Sequence, residues 1–355
     1  MDADRRALSS ARPAFDIDGQ AQPRLDAGLV RLALVDTIEG QAHAEAEFGN
    51  WGGADAGVGY LWFDRGTLDF GKRFTVRIGD TTLFEGRISA LEAAFPEGTP
   101  PTLRVRAEDP LQDLRMTRRT RHFANQSDAD IVRTIAGDHG LQTQIDLPGS
   151  ALPLLVQANE SDLAFLRRRA RAIDADLFLR GGTLHAVARA SRTDAPVRLH
   201  RGVELREFTV AADLAHQRTA LVCSGWDVAA KQAVAARAEG SVINQEAQAG
   251  ESGPQLLQQA YGARTDTLAH RVPFDDGGAR AEAEALLRTL ARRFVRGRGM
   301  ASMTGALRPG GRAELVGLGP LFSGDYGVVD VTHRFDGSHG LRSEFTVERP
   351  WLGRP

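Results

Sequence analysis

The chain has 355 residues and a single cysteine, Cys223, so no intrachain disulfide can form. Cys223 reads as a small buried hydrophobe in a strand rather than as a catalytic thiol. Its nine histidines show no His-x-His or His-Glu-x-x-His spacing. With one cysteine, that leaves no pattern for a structural zinc site. Gly57-Val58-Gly59 lacks the third glycine and the following helix of a dinucleotide loop, and no phosphate-loop lysine pattern is present. Asp275-Asp276 is not an Asp-x-Asp calcium loop and reads as a turn into a helix. No metal, cofactor or catalytic residue is therefore expected. A formal net charge of -2 gives no bulk electrostatic case for nucleic acid. Met1 to Ser10 is polar, unlike a secretory leader, and no run approaches the roughly 18 apolar residues that cross a bilayer. The expectation is synthesis in the cytoplasm and no stable membrane association.

A hydrophobic fraction of 42% and a charged fraction of 25% are ordinary for a globular protein, and the length exceeds what one core serves. Residues 1–22 read as a flexible tail. From Leu25 to Asp109 the grammar is β: Phe74, Val76 and Ile78 alternate with Thr75 and Arg77, and Leu103, Val105 and Ala107 with Arg104 and Arg106. After Arg121 the period changes. Ser127 starts a helix to about His139, and Asn159 starts another with Leu163, Leu166, Ala170 and Ile173 on one face. Gly181-Gly182 joins two short strands as a hairpin. Strands return from Leu205 to Trp226. Residues 236–276 read as a loose connection, and Ala279 to Val295 as a helix with Leu286, Leu290 and Phe294 aligned. Leu341, Ser343, Phe345 and Val347 alternate with Arg342, Glu344, Thr346 and Glu348, which predicts an antiparallel sheet with one wet face.

The predicted class is mainly β with an α+β insertion: two β-barrel, tube-like domains, a small α/β domain and a long helix. The boundaries are 23–118 for the first barrel and 119–194 for the insertion. The second barrel takes 195–235 and 297–355, and 236–296 is a connecting segment holding the long helix.

Three features invite a functional reading. Gly250-Glu251-Ser252-Gly253 resembles the loop around a serine-protease nucleophile, but it is one glycine short and has no companion histidine motif; a linker is the better reading. Arg115, Arg118, Arg119 and Arg121 form a dense cluster. A solvated edge, phosphate binding without the interleaved aromatics it needs, and ion pairing across a subunit interface are the three alternatives. Trp51 lies in a glycine-rich loop, where an interface role weighs as much as a core role; Trp226, at a strand end, reads as a core anchor. Trp51, Arg115, Arg118, Arg119 and Arg121 are the candidate interface residues.

Several runs carry a resemblance. Asn159-Glu160-Ser161-Asp162-Leu163-Ala164-Phe165-Leu166 resembles the signature of phage late control protein D and the valine-glycine repeat proteins of type VI secretion. Phe48-Gly49-Asn50-Trp51-Gly52, Gly225-Trp226-Asp227 with Lys231-Gln232, Leu307-Arg308-Pro309-Gly310, and Phe322 to Val328 with His333-Arg334-Phe335 are similar, in order, to elements of contractile-injection hub proteins. The resemblance implies a homotrimeric baseplate hub. Two barrels per subunit would present six similar surfaces to a hexameric inner tube, while a trimeric spike sits on the other side. Relatives often continue into a spike, so a separate spike protein is expected here, with other baseplate proteins as further partners. The competing expectation is a cell-wall hydrolase or a peptidoglycan-binding module carried by such a machine.

Overall fold

The computed structural model describes residues 12–354 apart from 40, 55–56, 193, 228–229, 248, 269–272 and 274. The chain is mainly β with an α+β insertion. Its central element is a sheet of 13 strands, eight of which form one continuous antiparallel run. These are β1 (Leu29–Thr37), β2 (His43–Gly49), β3 (Thr81–Ala94), β4 (Thr102–Glu108), β5 (Leu205–Ala212), β6 (Val295–Ser302), β7 (Gly324–Asp336) and β8 (Gly340–Arg349). Their spatial order is β5-β6-β8-β7-β1-β2-β4-β3, and every neighbouring pair is antiparallel.

The two strand-rich regions do not close separately. β7 pairs with β1 from Asp330↔Thr37 to Asp336↔Arg31, which welds them into one open sheet; no closed barrel exists among the described residues. The weld is possible because both edges present apolar residues to the same face. Phe335 joins the first core with Leu32 and Leu34, while Val331, four residues earlier, joins another core with Phe345 and Val347.

The expected tail divides. Residues 1–11 lie outside the described residues, but Ala14–Ile17 is a strand paired with Arg73–Ile78. Phe15 is fully buried against Phe48 and Phe74, at ring distances of 5.0 and 5.5 Å, so burial outweighs the polar composition around it.

The insertion forms its own core around Leu111, Phe123, Ile135, Leu155, Phe165 and Leu184. α1 (Asp128–Asp138) begins at a capping box in which Ser127 and Asp130 satisfy each other's backbone N–H groups. α2 (Asp162–Ala172) is capped by Ser161, whose Oγ accepts from the Ala164 amide, and not by Asn159, which adopts a φ of 49° inside the preceding strand. Gly181 and Gly182 both take positive φ in the predicted hairpin.

Residues 236–276 are more ordered than expected. Gln232–Glu239 is a strand, α3 (Gly253–Tyr261) follows, and Thr265–Leu268 pairs with Ala220–Asp227. α4 (Asp276–Arg292) is capped by Asp275. Its buried face is Ala279, Ala283, Leu287 and Ala291, one residue round from the predicted Leu286–Leu290 stripe. Small alanines let the helix lie close on the strands bearing Leu221, Cys223, Val234 and Ala236. Phe294 falls beyond the helix and belongs to the neighbouring core.

Candidate interface

The arginine cluster is placed by the insertion's two-stranded ladder, Arg118–Gln126 against Leu152–Ser161. Its centre is Asp162, which is buried and accepts from Arg121 Nη2 at 2.8 Å, Gln157 Nε2 at 2.8 Å and His139 Nε2 at 2.9 Å. Arg119 Nε lies 3.2 Å from the same carboxylate. Burial alone would raise Asp162. The hydrogen bonds from His139 and Gln157 and the charges of Arg121 and Arg119 outweigh it, holding the carboxyl below its usual value. Arg121 also pairs with Asp138 and lies over the Phe123 ring. Arg119 and Arg121 are thus tied inside the insertion. Arg118, bonded to the Asn159 carbonyl, and Arg115, on the helix Leu111–Met116, are exposed.

The second region is the loop after β2. Phe48 is fully buried, and Asn50, also buried, accepts through Oδ1 from the amides of Leu61 and Trp62 at 3.0 and 2.8 Å. Trp62 Nε1 donates to the Gly49 carbonyl at 3.0 Å. These bonds pin both ends of the loop and leave Trp51 outside, 48% exposed. Trp51 is not alone. Its ring meets Tyr60 edge-on at 5.3 Å, Tyr60 stacks on Phe63 at 4.8 Å, and Phe95 closes the group at 5.8 Å from Phe63. In a chain with 6% aromatics, this clustering at the surface is an interface signature. The sequence singled out Trp51 but not Tyr60 and Phe63, from the loop that follows Gly57–Gly59, nor Phe95, from the loop after β3.

Trp226 is a correction: it is 52% exposed. In the strand Ala220–Asp227 it alternates away from Leu221 and Cys223, which face α4, so period two turns it outward.

The third region is the sheet's polar face. Thr209, Arg298, Thr346 and Asp330 lie side by side across β5, β6, β8 and β7. Arg31, Glu47, Arg104 and Glu92 do the same across β1, β2, β4 and β3. Charges are paired across strands: Arg31–Glu47 at 2.8 Å, Arg104–Glu92 at 3.2 Å, Arg106–Glu45 at 3.6 Å and Arg334–Glu344 at 2.8 Å. Each exposed pair contributes under about 1 kcal/mol to stability. Together they make a wide charged surface without a dominant sign. The opposite face carries the apolar cores.

The remaining motifs are structural. Ser252 is fully buried and caps α3 in a box with Gln255, so the protease-like run is a helix start. Tyr326 is buried and donates to the Phe322 carbonyl at 2.6 Å. Arg349 is held between the Tyr326 and Trp351 rings, 4.3 and 3.7 Å from their centroids. His333 meets Ser343 Oγ at 2.9 Å, and burial pushes its imidazole down to about 4, so it stays neutral. No cluster of metal-ligating side chains exists among the described residues, nor a helix long and apolar enough to cross a membrane.

Comparison with solved structures agrees with this architecture, while the matching family model is not that of a named hub family. The family model described as the Alg8 N-terminal domain matches residues 68–336, and the chain belongs to that family. No curated protein matches the chain. Among solved structures, the 43 kDa tail protein of prophage MuSo2 from Shewanella oneidensis is similar with a TM-score of 0.73 at 14% identity, over 96% of this chain and 99% of that one. A tail protein from Neisseria meningitidis MC58 gives 0.71 at 12% identity, over 96% and 98%. An Escherichia coli type VI secretion component, described as structurally similar to the T4 tail proteins gp27 and gp5, gives 0.61 at 13%, over 96% and 79%. At these identities the likeness is one of fold: phage tail proteins and a secretion-system component share it.

Proposed function

We propose that this chain is a structural hub of a contractile, phage-tail-like injection assembly, working by assembly and not by turnover. Three copies form a ring that joins a hexameric inner tube to a separate trimeric spike. The observation that carries this reading is the eight-strand sheet with one continuous charged face, in a fold shared nearly end to end with tail proteins. Four strands come from residues 29–108 and four from residues 205–349, so each subunit offers two similar halves. Three subunits then present six similar surfaces, which supports matching threefold to sixfold symmetry. The charged face suits the wall of a central passage, since paired charges keep it wet and give a passing macromolecule no strong single-sign field to bind. In this reading residues 23–118, and 195–235 with 297–355, are the two quasi-equivalent units, and residues 119–194 project from them. Arg115, Arg118 and Trp51 are contacts to other baseplate components. Light scattering of the chain purified with its tube and spike proteins tests the reading. A trimer-based complex is expected; a strictly monomeric, non-associating chain overturns it.

A further inference from the structure

We propose that the outer face of the insertion's two-stranded ladder docks an acidic, amphipathic segment of another baseplate protein. The proposal rests on the hub reading above and gives the contact at Arg115 and Arg118 a partner chemistry. The ladder, Arg118–Gln126 against Leu152–Ser161, joins no larger sheet. Period two divides its side chains. Phe123 and Leu155 are buried in the insertion's core, whereas Ala124, His122, Leu154 and Val156 are exposed on the other side. Ala124 stands opposite Leu154, and His122 opposite Val156, so the outward residues form one row across both strands. Leu154 is 42% exposed and Val156 47%. Met116, at 72%, is a further open apolar side chain and ends the helix that leads into the ladder. Apolar side chains grouped in the open and rimmed by polar ones mark an interaction site.

The charges around the row select the occupant. Arg168 lies at its edge, where Nη2 donates to the Val156 carbonyl at 3.2 Å, and Glu160 neutralises it at 2.6 Å. Arg119 and Arg121 are answered by Asp162 and Asp138. Arg118, which donates to the Asn159 carbonyl, and Arg115 are exposed and pair with no carboxylate among the described residues. The ladder therefore carries aliphatic side chains toward one end and two cations without counter-ions at the other. From Leu154 to Asn159 the strand covers roughly 17 Å at about 3.4 Å per residue, the reach of a short segment. A segment with aliphatic residues beside carboxylates fits both ends, since a guanidinium holds a carboxylate through paired donors. Other occupants fit worse. A second copy bringing the same face would set these arginines against each other. Bases stack on aromatic rings, and this row is aliphatic, so single-stranded nucleic acid lacks its platform.

Selection of a displayed library of random twelve-residue peptides on the full chain tests the surface. Enriched peptides should combine net negative charge with aliphatic residues. Synthetic copies of them, followed by fluorescence anisotropy, should bind the parent and lose at least tenfold in affinity to Val156→Asp and to Arg115→Glu with Arg118→Glu. Raising the salt should also weaken them, because the cations are exposed. All three side chains are open to solvent, so circular dichroism should match the parent. Val156→Ser and Arg118→Gln are milder changes that keep the test valid if the first set disturbs the fold, and each should cost at least threefold. No enrichment, enrichment of neutral or basic peptides, or affinity unchanged in both sets of variants overturns the docking surface. Displacement of the peptides by a single-stranded oligonucleotide at comparable concentration also overturns it. Each of these results leaves the hub reading standing, which the trimer-based complex with tube and spike proteins tests separately.

Discussion

Arg292 is the side chain whose loss should cost most. It is 7% exposed at the end of α4 and faces two carboxylates. Its Nη2 donates to Asp174 at 2.7 Å and to Glu246 at 2.7 Å, and its Nε donates to Glu246 at 2.8 Å. Burial pulls the guanidinium down, but the hydrogen bonds with Glu246 and Asp174 overcome this and hold it above its usual value. Asp174, just after α2, is 6% exposed and has a φ of 55°. The pair therefore ties the insertion to the α4 unit. Arg292→Met leaves Asp174 buried without its cation, which should cost about 3–5 kcal/mol. With four separate cores, the insertion and the α4 unit can open locally before the whole chain unfolds. Native-state hydrogen exchange of the α4 and α2 amides reads the local opening directly. The loss should speed exchange there by roughly two to four powers of ten. Adding Asp174→Asn, a residue that tolerates positive φ, removes the stranded charge and should restore much of the protection. Acceleration below tenfold, or strictly additive effects in the double variant, would refute the reasoning.

Burial pushes Asp109 up to about 7 against the backbone amides of Ala42 and Leu111 that it accepts from. The folded state then holds a proton the unfolded chain releases near pH 4. Stability should be highest at the acid end of that window and fall by on the order of 4 kcal/mol toward pH 7. Asp109→Asn should remove most of this slope in urea midpoints taken at pH 4.5 and 7.5; an unchanged slope contradicts the assignment. Arg118→Glu should leave thermal stability within about 0.5 kcal/mol and weaken assembly, because its side chain is exposed. Arg119→Glu should instead destabilise the insertion by setting a carboxylate against buried Asp162, and equal thermal midpoints for the two variants would count against that distinction. Ser252→Ala should cost about 1 kcal/mol as a lost helix cap, read as a thermal shift, with the assembly otherwise unaltered.

Local grammar was legible in the residues, and long-range partnership was not. Phe74, Val76 and Ile78, or Leu341 to Val347, reveal their strands because period two separates two chemistries in a few residues. Ser127 and Asp275 reveal helix starts because a cap is a local bond. Alanine blurs both signals. Gln232–Glu239 buries Val234, Ala236 and Ala238, and α4 buries four alanines, so weakly apolar residues carry faces that leucine was expected to mark. Of the exposed aromatic group only Trp51 was legible, since Phe95 joins it across more than forty residues of intervening chain. The β7–β1 weld spans nearly the whole sequence, and no local pattern in either strand distinguishes a paired edge from an open one. What completes a strand is whether the chain itself supplies the neighbour: β1 completes β7 within one molecule, whereas β5 and the Ser89–Ala94 end of β3 have no ladder partner among the described residues beyond β6 and β4.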